Sequence, residues 1–202
     1  MIVVIVGPPA SGKGTVSVRL AKKLGLEHIS TGDIFRNLDD SEIAKYLVTG
    51  RLLPDELVAK VVNKAMEGKT KIILDGYPRN LAQAKLLDGY LAKTGRKIDR
   101  VVFLDTSTET VVRRMTNRRI CPKCGKVYNL LTLPPPKPGK CECGGDLIQR
   151  PDDNEKTIVS RVGVFEEHTK PILEHYKGRV LKIDGNGEID GIIKELSKKF
   201  GK

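Results

Sequence analysis

The 202-residue chain has no apolar run long enough to cross a bilayer. The longest, Met1–Val6, is a short stretch, whereas a spanning helix needs about 20 residues. No basic segment precedes that run and no small-residue cleavage site follows it, so a secretory signal is excluded and the expected compartment is the cytoplasm. There is no internal repeat. Apart from Pro134-Pro135-Pro136 and Pro138 there is no low-complexity tract either. Cysteine is confined to Cys121, Cys124, Cys141 and Cys143. A disulfide framework would spread its cysteines across a small secreted chain, so this cluster points to metal instead. Hydrophobic residues make up 39% and charged residues 30%, enough to build a core and to exclude a largely disordered chain.

The net charge of +11 is unevenly spread. Between Arg113 and Arg150, nine Lys or Arg stand against Glu142 and Asp146, so that segment carries +7 and the rest of the chain +4. A basic excess of this kind fits nucleotide phosphates, nucleic acid or an acidic surface, and equally a solvated lysine-rich face.

Runs rich in β-branched residues recur at Met1–Val6, Lys71–Leu74, Arg100–Leu104 and Arg179–Ile183. Between them, Val16, Leu20 and Leu24 form a helical stripe, as do Leu81, Ala84 and Leu87. Thr106 with Glu109, and Asp152 with Glu155, read as capping boxes. A last helix is expected over roughly Gly187 to Lys199. Alternating strands and helices imply an α/β fold, a parallel sheet covered on both faces. Two stretches break the alternation: Thr31 to Met66, mostly helical, and Arg119 to Gln149, irregular and holding all four cysteines.

The strongest motif is Gly7-Pro8-Pro9-Ala10-Ser11-Gly12-Lys13-Gly14-Thr15, which follows a strand and opens a helix. Glycines let the backbone wrap an anion, and the amides at a helix N-terminus favour negative charge. Lys13 can reach β- and γ-phosphates. The strict pattern has Ser or Thr directly after the lysine; here Gly14 intervenes before Thr15.

Gly12-Lys13-Gly14-Thr15, Ser30-Thr31-Gly32-Asp33, Asp75-Gly76-Tyr77-Pro78-Arg79 and Arg150-Pro151-Asp152-Asp153 together resemble the adenylate kinase family, over essentially the whole chain. The resemblance implies a P-loop NTPase-like core (1–30, 67–118 and 151–202), a helical monophosphate-binding arm (31–66) and a small zinc-ribbon-like lid insertion (119–150). It implies that ATP lies on Ala10, Ser11, Gly12, Lys13, Gly14, Thr15, Arg114, Arg118, Val127, Tyr128 and Gly187. AMP would lie on Thr31, Arg36, Arg51, Leu52, Leu53, Gly76, Tyr77, Pro78, Arg79, Gln83, Arg150 and Arg161. Catalysis would fall to Lys13, Arg79, Arg118, Arg150 and Arg161, with Asp75 orienting water on Mg²⁺.

The resemblance implies that His28, His168 and His175 need no catalytic role, and that Gln83 selects AMP where pyrimidine-specific relatives carry Asn. Asn80, however, follows the Pro-Arg pair as in the pyrimidine group. ATP, AMP and ADP would be the partners, with no nucleic acid and no membrane, on a monomer by default with a trimer as the other state. The arm is shorter than usual for the family.

Cys121-x₂-Cys124 and Cys141-x-Cys143, sixteen residues apart, supply four thiolates for a structural, tetrahedral Zn²⁺. The second pair departs from the family's usual two intervening residues. Two other readings remain open at this point. One is a related kinase preferring CMP, UMP or GTP; the other is a zinc-ribbon nucleic-acid-binding protein, which the basic Cys segment alone would support although its aromatics amount to Tyr128 alone.

Overall fold

The computed structural model describes residues 1–38, 43, 46, 52–151 and 153–201. Its centre is a five-stranded parallel sheet of β1 (Ile2–Val6), β2 (Glu27–Ser30), β3 (Ile72–Asp75), β4 (Arg100–Asp105) and β7 (Val180–Asp184), ordered β2-β3-β1-β4-β7. Every pairing is parallel, with Val4 opposite Leu74 on one side and Val101 on the other.

Because side chains alternate across a strand, a wholly apolar strand feeds two cores. Ile2, Val4 and Val6 of β1 point into one, with Ile72, Leu74, Val101 and Phe103. Val3 and Ile5 point into the other, with Ile73, Val102 and Leu104. On the first face pack α2 (Thr31–Arg36), α3 (Asp55–Met66) and α4 (Leu81–Lys93) through Phe35, Val62, Met66, Ala84, Leu87 and Leu91. On the second lie α1 (Lys13–Leu24) and α8 (Ile189–Lys199), through Val16, Leu20, Ile192 and Leu196. A separate cluster joins α5 (Thr108–Thr116) to α6 (Glu155–Val164) through Val111, Met115 and Ile158.

A π-helical turn (Phe165–Thr169) and α7 (Ile172–His175) lead back to β7. The 119–150 stretch is built on an antiparallel hairpin, β5 (Arg118–Ile120) with β6 (Val127–Asn129), extended by a bridge from Ile120 to Ile148.

The strands fall where the apolar runs predict, but β2 is an addition. Glu27–Ser30 is short, and only Ile29 among its residues is fully buried, so it carries no hydrophobic run. Both expected capping boxes shift. α5 is capped by Ser107, whose hydroxyl accepts from Thr110 N at 3.3 Å; Thr106 is one residue too early, its own hydroxyl turned back to Leu104 O. α6 is capped by Asn154, whose Oδ1 accepts from Thr157 N at 3.0 Å, so Glu155 is the first helical residue and not the third. Asp152 lies outside the described residues.

Among the described residues no helix is long and apolar enough to cross a membrane. Leu87 is fully buried between α4 and the sheet. Leu87→Ala should therefore lower unfolding free energy by about 2–5 kcal/mol. Val159, 68% exposed, should tolerate the same truncation within about 0.5 kcal/mol; denaturant titration of both variants checks the contrast.

Candidate active site

The chain leaves β1 to its β2-β3 side and crosses to β4 on the other, so the crevice at the carboxyl ends of these strands is the switch point of the sheet. The Gly7–Thr15 loop emerges there. Ala10 and Gly12 both take the left-handed conformation, at φ 53° and 93°. That turn brings the loop over the first turn of α1, which has no capping side chain and no acidic residue. The helix N-terminus is left open for an anion.

A cavity of about 1010 Å³ opens over the loop. Lys13 lines it and donates to Gly7 O and Pro8 O, both at 2.7 Å. Desolvation lowers its pKa to about 7, opposed by the Asp75 carboxylate and reinforced by Arg79, Arg161 and Arg118. Arg79 is likewise lowered to about 10 by desolvation and by Arg161. Four of the other five expected catalytic groups, Asp75, Arg79, Arg118 and Arg161, thus lie within electrostatic reach of Lys13; the fifth, Arg150, lines the same cavity.

Several of these cations are held by acceptors of the protein. Arg114 donates to Gly185 O, Asn186 O and Gly187 O at 2.7, 3.1 and 3.0 Å, and to Ser11 O. Arg118 makes a two-pronged ion pair with Asp153, whose carboxylate is fully buried. Arg36 pairs with Asp33 at 2.5 Å, and Arg79 Nε donates to Gly76 O at 2.8 Å. Gly76 is needed here: at φ 80° a Cβ would stand 2.7 Å from Thr31 Oγ1.

The other expected residues divide clearly. Ala10, Gly12, Gly14, Thr15, Leu52, Pro78, Val127, Tyr128, Arg161 and Gly187 line the large cavity. Thr31, Leu53 and Gln83 line a small adjoining recess walled by Phe35 and Val58, with Gly76 and Arg79 at its join to the first. Ser11 is buried beneath the loop, its side chain away from the cavity. Tyr77 is also turned away: its ring is in the core and its hydroxyl donates to Gln83 O. Arg51 lies outside the described residues. Asn80 does not reach the cavity, since it caps α4 on Gln83 N and donates to Asp55.

Two residues outside the motifs, Asp55 and His28, belong to the site, and Asp153, the last residue of the Arg150-Pro151-Asp152-Asp153 motif, has a part there that the motif did not assign. Asp153 anchors Arg118. Asp55 holds Gln83 through a 2.9 Å hydrogen bond. His28, on β2, lines the cavity with Nε2 3.5 Å from Asp75 Oδ2. A signal for His28 existed: it stands two residues before Ser30, on the same side of a strand running into the Ser30-Thr31-Gly32-Asp33 motif.

Asp75 and Thr15 offer the hard oxygen donors that suit Mg²⁺. Asp75 ends β3 directly beneath the loop, with Oδ2 3.4 Å from where a Cβ on Gly14 would be.

In the hairpin segment the four cysteine sulfurs lie within 4.8 Å of one another, with 3.5 Å between Cys121 and Cys143 and between Cys124 and Cys141. Zn–S bonds of about 2.3 Å set tetrahedral S···S edges near 3.8 Å, so the cluster fits Zn²⁺. Gly145 is cradled against it, a Cβ there standing 2.8 Å from Cys121 Sγ. The Tyr128 hydroxyl lies 3.3 Å from Cys141 Sγ and, as donor, holds that thiol down to about 6.

A family model described as Adenylate kinase matches residues 5–181. The adenylate kinase of Thermosipho melanesiensis is 43% identical, over 97% of this chain and 97% of its own length. That of Thermoanaerobacter sp. is 41% identical over 100% and 98%, and that of Thermotoga maritima 43% over 98% and 96%. A phosphate-binding loop, a converging set of arginines and this likeness along nearly all of its length agree: the chain belongs to the adenylate kinase family.

Proposed function

We propose that the chain reversibly transfers the terminal phosphoryl group of ATP to AMP, giving two ADP, as a Mg²⁺-dependent monomer of the cytoplasm. The observation that carries this reading is the meeting of Lys13, Asp75, Arg79, Arg118 and Arg161 in one cavity that runs from the phosphate loop to a recess ending in a side-chain amide.

The ATP side is built by the loop amides and Lys13, which take the β- and γ-phosphates. Arg114 spends its guanidinium edge on backbone carbonyls, so its flat face is what remains to stack on adenine, beside Gly187. Val127 and Tyr128 close over the nucleotide from the 119–150 lid. AMP enters under the 31–66 arm, its base in the recess of Thr31, Leu53 and Gln83 and its phosphate on Arg36 and Arg79. Arg118, Arg150 and Arg161 then surround the group in flight.

No covalent nucleophile is required. In-line positioning and charge neutralisation carry the reaction, and the closed lid keeps water from taking the phosphoryl group. Asp75, with Thr15 nearby, would hold Mg²⁺, which would supply neutralisation of the phosphate charge. Cys121, Cys124, Cys141 and Cys143 would hold Zn²⁺ with four thiolates, the donor set of a structural site and not of a catalytic one.

ADP formation with AMP, CMP, UMP or GMP offered separately should be rapid only with AMP; in Arg79→Ala it should fall about 10²–10³-fold in kcat. Turnover absent with all four acceptors, or near-normal turnover in the variant, would overturn the reading.

Lys13 gives a pH signature. Phosphate raises its pKa back toward the ordinary lysine value, so the free protein must gain a proton on binding above its own pKa of about 7. Calorimetry of ATP binding at pH 8 in buffers of different ionisation enthalpy should show uptake of about 0.9 proton, absent in Lys13→Met, with affinity falling as pH rises from 7 to 9.

Metal analysis should find about one zinc per chain. Chelation or Cys143→Ser should lower the melting temperature and loosen the lid; a metal-free chain with a fully ordered lid would contradict the assignment.

A further inference from the structure

Gln83 is buried at the end of the small recess, and its side-chain amide is tied at both ends. Oε1 accepts from Arg79 N at 2.8 Å, and Nε2 donates to Asp55 Oδ1 at 2.9 Å. The same Asp55 oxygen accepts from Asn80 Nδ2 at 2.8 Å, while Asn80 Oδ1 accepts from Gln83 N, also at 2.8 Å. Asp55 opens α3 and Asn80 caps α4, so two helices of the first core fix this quartet.

The arrangement has one polarity. A carboxylate has no proton to donate and a backbone N–H has no lone pair to offer. Turning the amide over would set Oε1 against the Asp55 oxygen and Nε2 against the Arg79 N–H, two like-with-like contacts in a buried place, where unmade hydrogen bonds are most costly. A primary amide has two N–H donors and two acceptor sites; one of each is spent on Asp55 and Arg79. The other N–H and the other lone pair remain for the recess, in a fixed order.

We propose that Asp55 is a specificity-determining residue that acts through Gln83: it locks the amide so that the recess accepts 6-amino purines and rejects 6-oxo purines. The inference rests on the reading of Gln83 as the group that meets the acceptor base. Adenine presents an amino donor beside a ring-nitrogen acceptor, which matches one free lone pair and one free N–H. Hypoxanthine and guanine present a carbonyl beside a ring N–H, the reverse order, and could be met only by the flipped amide. A site whose buried polar groups would be left unpaired discriminates far more strongly than one that only measures shape.

The test is kcat/KM for AMP and for inosine monophosphate with MgATP, in the wild-type protein, Asp55→Asn, Asp55→Ser and Gln83→Ala. The two acceptors are nearly the same size and differ in the order of donor and acceptor. Their ratio within one preparation does not depend on how much of it is folded. The wild-type protein should prefer AMP by at least about 100-fold. Asp55→Asn, which can offer either a donor or an acceptor to Gln83, should narrow that preference by about tenfold or more, chiefly through KM, as should Asp55→Ser, which withdraws the carboxylate altogether. A residue that only supported the fold would lower both acceptors together. Ratios within twofold of wild type in both Asp55 variants, with a collapsed ratio in Gln83→Ala, would overturn the role of Asp55 and leave Gln83 as the base contact. An unchanged ratio in Gln83→Ala, or no AMP preference in the wild-type protein, would overturn both.

Discussion

The structure depends on how it gathers a crowd of like charges in one cavity. Lys13, Arg36, Arg79, Arg114, Arg118, Arg150 and Arg161 share one cavity, and the pKa values of Lys13 and Arg79 are lowered first by desolvation and then by neighbouring cations, Arg161 acting on both. Backbone carbonyls hold Lys13, Arg79 and Arg114; carboxylates hold Arg36 and Arg118. These partners are weaker than a polyphosphate but already point the cations inward, so nucleotide binding exchanges acceptors and need not order the side chains afresh. That is preorganisation, the condition under which charge stabilisation contributes most to a transition state.

The fold supplies the framework. The three central strands, β3, β1 and β4, buried on both faces, give a rigid platform, and the loop, Asp75 and the 185–187 carbonyls all lie at its carboxyl edge. Arg118 and Asp153 flank the hairpin segment in sequence, so their ion pair ties its two ends together where they meet the core. The pair is buried, and removal of one partner would leave a desolvated charge. The hairpin segment is therefore electrostatically fastened where it joins the core.

Most of this frame was legible in the sequence because its signals are local. A β-branched run, a helical stripe and the Gly7–Thr15 loop each declare themselves within a dozen residues. The misses are of another kind. β2 has little apolar character and exists because β3 offers it a free edge to pair with. Ser107 and Asn154 displaced the expected caps because a cap is chosen by backbone conformation as well as residue type. Tyr77 lies inside a motif that surrounds the site, yet its ring turns into the core, a matter of one side-chain direction. Asp55 acts on a residue far from it in the chain, and no short pattern announces such a partner; Asp153 stands inside a motif, but nothing local names Arg118 as its partner.

The second cysteine pair shows the same logic from the opposite side, a departure from pattern that tertiary geometry absorbs. With one residue between Cys141 and Cys143, the chain must turn more sharply than a two-residue knuckle does. It does so by placing the bend after the pair. Gly144 takes φ 80° and donates to Cys141 O, while Cys141 N donates to Gly145 O. Two successive glycines permit this: the first for its left-handed conformation, the second because a side chain there would strike Cys121 Sγ. Tyr128 completes the arrangement, its ring packed with Cys121 and Cys141 and its hydroxyl accepting from Glu142 N, so the residue between the two cysteines is fixed by the same side chain that faces the nucleotide cavity. The four-sulfur cluster and the cavity-facing surface of the hairpin segment thus meet at one tyrosine.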